Sequence, residues 1–167
     1  MQMTHYMELL ATNQPWNLLL FMAVPVVLAE TVAITELYIL YTRRRDNAAG
    51  ALNRFASILG GVYFTGVFIY LFNHAVVPLT SSGGWRGPAD VIAVGAYLSG
   101  IVPLLGLALV DLRFVGGAWP DARRLMVHAG LVGLFLVVAH VAMIFGMLDP
   151  SVLTGVVAAP AHGGAAH

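Results

Sequence analysis

Five ionisable side chains stand inside long apolar runs of this sequence, and they are the residues whose chemistry needs an explanation. His128 and His140 fall in LMVHAGLVGLFLVVAHVAMIFGML, His74 in an earlier run, and Glu30 and Glu36 in the first. If these runs cross a bilayer, each such group costs roughly 2.5 to 3.5 kcal/mol at the membrane centre, so an idle one is not expected there. Imidazole can ligate a metal or carry a proton, and a buried carboxyl can hold or pass one. Metal or haem ligation, proton or cation handling, and plain helix–helix hydrogen bonding are therefore the three chemistries on offer.

The elements that must position these residues follow from composition. Of 167 residues, 59% are hydrophobic and 10% charged, with a mean hydropathy of +0.84. A chain so poor in charge reads as an all-α integral membrane protein in contact with the lipid bilayer. There is no cysteine, which excludes disulfides, thiolate metal sites, iron–sulfur ligation and haem attached through CxxCH. Net charge is zero and every basic residue is arginine, with no basic patch pointing to nucleic acid. The sequence contains no P-loop, Rossmann glycine pattern or GxSxG elbow.

Hydropathy predicts four spans, at about 16–42, 55–79, 89–112 and 125–148, within one domain over residues 1–150. The first starts at Trp16 and ends with Tyr38 and Tyr41 ahead of Arg43, Arg44 and Arg45, an aromatic belt followed by a charged stop. Pro25 is expected to kink it, and Pro103 to interrupt the third. Before the first span, Met3, Met7 and Leu10 recur at near-helical spacing with Thr4 as a candidate cap, which predicts a short interfacial helix. His5 reads as a solvated residue of that helix. Residues 151–167 form an Ala/Gly-rich tail carrying His162 and His167, expected to be flexible.

Arginine placement orients the bundle. Seven of the eight arginines fall in the loops between spans one and two or three and four, and only Arg86 on the other side. The positive-inside rule then puts both termini outside the plasma (inner) membrane. Counting at ~1.5 Å per residue from the inner ends, His74 and His140 lie roughly 27 to 30 Å up, and Glu36 and His128 roughly 10 Å up. Equal depth predicts a Glu36–His128 contact, with Glu30 between the two levels. Both carboxylates are expected to face the protein interior, although six residues put them ~240° apart around the helix, so they cannot share a partner.

Spans two and four run in the same direction and are diagonal neighbours in an up-down bundle. Two histidines at equal depth on such helices resemble the haem-carrying spans of four-helix membrane b-type cytochromes. The resemblance implies haem b held by His74 and His140, with Gly133, seven residues before His140, leaving room for the ring. It also implies electron transfer between quinone and a redox-complex partner. His128 is ~120° off the face of His140, so at most one haem is expected. A rival set, His140, Met143 and Met147, suits copper(I), with Met1, Met3, His5, Met7, His162 and His167 as further soft or borderline donors on the same side. The third option has no cofactor, the polar groups acting only as glue between helices.

Three functions follow from these readings. The chain is expected to be a small b-type cytochrome or redox-complex subunit, more an electron-transfer or accessory subunit than a stand-alone enzyme. The alternatives are a permease-like or metal-handling protein using the Glu, His and Met groups, with Glu30, Glu36 and His128 as a proton path, and a structural or assembly subunit. Four helices show no inverted repeat, so alternating access would call for a homo-oligomer.

Overall fold

The computed structural model describes residues 3–150. The tail, with His162 and His167, and Met1 lie outside the described residues. Four helices are long and apolar enough to cross a membrane: Trp16–Thr42, Ala48–Ser82, Pro88–Asp111 and Asp121–Met147. The protein is an all-helical, multi-pass membrane protein whose outward surface is the apolar one that lipid requires. Span two packs against spans one and three and span four against span three, while span one touches span four more sparingly.

The helix ends follow from local chemistry. Span one stops at Arg43, which adopts a left-handed conformation, and Asn47 caps span two by accepting from the Gly50 N–H at 2.9 Å. Gly83, also left-handed, ends span two. That span is longer than hydropathy predicts: its 35 residues reach ~52 Å against a hydrocarbon core of ~30 Å, so it stands clear of the membrane. The polar residues Asn53 and Arg54 hide its first turns from a hydropathy reading.

Prolines mark the irregular turns. Span one passes through a wide turn at Leu19–Ala23 immediately before Pro25. Pro25 has no N–H to give to the preceding turn, where the carbonyls of Leu20 and Phe21 lie. Tyrosine hydroxyls from other spans take them: Tyr63 donates to Leu20 O at 2.9 Å and Tyr97 to Phe21 O at 2.5 Å. A second wide turn, Phe72–Val76, precedes Pro78 in span two and carries His74. Span three breaks at Gly100, three residues before Pro103.

Close approach is greatest between spans two and three. A Cβ on Gly61 would sit 2.5 Å from Ala108 Cβ and 2.7 Å from Leu104 O, so only glycine lets these helices meet here. Above this crossing, Val32, Phe64, Leu104, Leu107, Val132 and Phe135 close the middle of the bundle with apolar side chains from all four spans.

The N-terminal helix is His5–Ala11, capped by Thr4, whose hydroxyl accepts from the Met7 N–H at 3.4 Å. It docks on the arginine-poor end of the bundle rather than lying free on its methionine face. Tyr6 and Leu10 are buried and Met3 is exposed. Thr4 donates to Gly146 O at 2.7 Å. A Cβ on Gly146 would stand 2.8 Å from the Tyr6 ring.

Candidate functional site

At the arginine-rich end, three spans each contribute one ionisable side chain to a single buried cluster. Glu36 of span one, Asp111 of span three and His128 of span four are almost wholly withdrawn from the surface, His128 completely. His128 Nδ1 lies 2.8 Å from Glu36 Oε2, and Nε2 lies 3.0 Å from Asp111 Oδ2. The ring thus has a carboxylate oxygen beside each nitrogen, with a hydrogen bond at Nε2.

Span two supplies neutral donors to the same cluster. Asn53 Nδ2 reaches Glu36 Oε2 at 3.1 Å, Thr35 Oγ1 at 2.9 Å and Val32 O at 3.1 Å. One turn on, Ser57 donates to Asp111 Oδ2, the same oxygen that meets His128. Arg45 Nη2 stands 3.7 Å from the other Glu36 oxygen. Arg124, also buried, donates to Gly116 O at 3.4 Å and ties the loop before span four to that helix. Isolated charges at this depth would be unstable, so opposed charges and hydrogen bonds must hold them together.

Equal depth points to Glu36 and His128; it does not single out Asp111, Asn53 or Ser57. Asp111 is the last residue of its helix and reads in the sequence as a boundary charge.

The other sequence candidates are not gathered in this way. Glu30, expected to face inward, is exposed on the outer flank of span one. The reason is geometric: with ~240° between them, burying Glu36 turns Glu30 outward. His74 and His140 are also exposed, each with its Nδ1 bonded to the carbonyl four residues back, Tyr70 O at 2.9 Å and Leu136 O at 2.6 Å. His74 stacks on Tyr70 and borders a cavity beneath the N-terminal helix. His140 shares the outward side of span four with Gly133, which has open space around it. His140 is not among the residues that line the cavity bordered by His74. Met143 and Met147 line a separate apolar cavity. Among the described residues, no three or more His, Asp or Glu form a metal-ligand group.

A second His–carboxylate pair sits at the opposite end. His5, read from sequence as solvated, places its backbone N–H 2.6 Å from Asp90 Oδ1 and its Nδ1 2.5 Å from Oδ2. Asp90 is fully buried at the start of span three. Arg86 pairs with Glu8 and donates to Met3 O at 2.5 Å. These bonds fasten the N-terminal helix to the loop between spans two and three.

No curated protein and no solved structure matches the chain. A family model described as "Family of unknown function (DUF6803)" matches residues 1–162, which takes in every residue of both His–carboxylate clusters. The chain belongs to the DUF6803 family.

Proposed function

We propose that this is a proton-binding membrane protein of the permease-like class, with Glu36, His128 and Asp111 as its proton-exchanging site. The observation that carries the reading is that three different spans each give one ionisable side chain to one buried cluster. Two carboxylates and one imidazole in contact share protons as a unit, and the number held responds to small changes in their spacing. The apolar layer of Phe64, Leu104 and Phe135 lies on one side of the cluster, and Arg45 and Arg124 lie on the other. Exchange in this conformation therefore runs to the arginine-rich end, which the positive-inside rule assigns to the cytosol of a plasma-membrane protein. Infrared difference spectra of the protein in lipid, titrated between about pH 4 and 10, test the reading. A titrating carboxyl band should appear, and it should be altered in Glu36→Gln and in Asp111→Asn. A spectrum with no titrating carboxyl assignable to either residue would reject it.

A second reading, a b-type cytochrome or redox-complex subunit, has one observation in its favour. His74 and His140 both engage Nδ1 with a backbone carbonyl and leave Nε2 available, as metal-ligating histidines do. It needs a second copy or a partner to complete each ligand set. A Soret band in the purified protein, lost in His140→Ala, is the outcome that supports it, and a colourless protein rejects it.

A further inference from the structure

An apolar cavity of about 230 Å³ opens between spans one and four on the arginine-poor side of the bundle. Its walls carry aromatic rings from the N-terminal helix and all four spans, among them Tyr6, Phe64, Tyr97 and Phe135. The Tyr97 hydroxyl is committed to Phe21 O, and the remaining polar side chains on the lining are the Tyr6 phenol and Gln14. A cavity of ~150 Å³ lined by apolar side chains takes up benzene. The space here fits a substituted ring and is too small for a whole lipid tail.

Spans one and four both line the cavity and touch each other sparingly, and each carries one exposed ionisable group close in sequence to the lining. Val26 and Ala139 line the cavity. Glu30 is one turn from Val26 on span one, and His140 follows Ala139 on span four. Counted at ~1.5 Å per residue from the inner ends, Glu30 stands roughly 20 Å up and His140 roughly 27 to 30 Å up, so His140 lies nearer the outer surface. Because His140 Nδ1 donates to Leu136 O, its Nε2 in the neutral ring is an acceptor. Glu30, when it carries its proton, is a donor.

We infer that this cavity binds a lipid-soluble molecule whose head is a flat ring bearing hydrogen-bonding oxygens, of the quinone class. The ring stacks among the aromatic walls, its oxygens meet Glu30 and His140, and the apolar tail stays in the bilayer. A carbonyl oxygen accepts from Glu30, and a ring hydroxyl donates to His140 Nε2. The site is distinct from the Glu36 cluster and stands independently of it.

Photolabelling of the full chain in phosphatidylcholine nanodiscs with an azido-substituted benzoquinone tests the assignment. Label should map to spans one and four around residues 18–30 and 135–147, and excess decylubiquinone should compete it whereas hexadecane should not. Filling the cavity with Val26→Phe and Met143→Phe together should cut labelling at least several-fold. Glu30→Leu and His140→Leu, both at lipid-facing positions that leave the core untouched, should each weaken competition by decylubiquinone about tenfold, as loss of one good hydrogen bond does. Glu36→Gln should leave labelling unchanged. Label spread evenly over the four spans overturns the site. Equal competition by hexadecane, or indifference to Glu30→Leu and His140→Leu, overturns the ring-headed ligand.

Discussion

Glu36 Oε2 lies 2.8 Å from His128 Nδ1, joining the first span to the last at the arginine-rich end of the bundle. With Asp111 on the far side of the ring, this contact makes the imidazole a bridge between two carboxylates that would otherwise repel.

Removing the bridge should therefore cost more than removing either bank. His128→Ala leaves two buried carboxylates facing one another and should destabilise the protein by about 3 to 5 kcal/mol. Because the three groups share one network, Glu36→Gln combined with His128→Ala should fall short of additivity by roughly 0.5 to 3 kcal/mol. Unfolding of the single and double variants in mixed micelles measures both numbers, and strict additivity would mean the contact carries no coupling.

Two glycines of span two should respond in opposite ways. Gly61→Ala drives a methyl into Ala108 and the Leu104 carbonyl and should cost about 1 to 3 kcal/mol by overpacking. Gly66→Ala meets nothing within 4 Å and should be neutral or stabilising by up to ~1 kcal/mol, since alanine is the better helix former. The same unfolding assay compares them, and equal effects would remove the case for a close crossing at Gly61.

The N-terminal helix should release in alkali. Burial pushes the Tyr6 phenol up from 10.0 to about 12, so the docked state holds its proton more tightly than the undocked one. Docking is then fully supported below about pH 10 and weakens as pH rises through about 12. Hydrogen exchange of residues 5–11 should accelerate across that window in the native chain, and Tyr6→Phe should suppress the acceleration. A transition at the same pH in both would assign it to another group.

Topology can be read with fusions. Seven arginines in the two loops at one end predict that reporters placed after residue 167 and in the loop at Gly84 are both extracytoplasmic, and that one after Arg45 is cytoplasmic. Phosphatase activity from the Arg45 fusion would invert the assignment and, with it, the side from which the Glu36 cluster exchanges protons.

What the sequence makes legible here is depth. Helical rise is fixed and the arginine loops supply a zero, so Glu36 and His128 can be placed level before any packing is known. Azimuth is harder to read. The wide turns at Leu19–Ala23 and Phe72–Val76 each add a residue to a turn and rotate the facing of the later residues by up to ~100°, and no periodicity argument registers that rotation. His74 sits inside one of them, so its face cannot be inferred from the rest of span two. Asp111 and Asp90 escape notice for a different reason: both lie at helix ends, where a charge passes as a boundary marker. The four-helix architecture itself needs only hydropathy, because a helix is how an isolated segment in lipid satisfies its own backbone.

The two carbonyls before Pro25 that accept tyrosine hydroxyls set a timetable for synthesis. Leu20 O waits for the hydroxyl of Tyr63, 43 residues later, and Phe21 O for that of Tyr97, 76 residues later. At ~5 to 20 residues per second, span one spends roughly 2 to 9 s in the translocon's vicinity before the first donor is made, and roughly 4 to 15 s before the second. Through that interval neither carbonyl has its tyrosine donor, which favours keeping the span near protein or water until spans two and three arrive. Span one, made before the other three, is thus completed only when their tyrosines arrive, and a nascent chain arrested before Tyr63 lacks both of its hydroxyl donors.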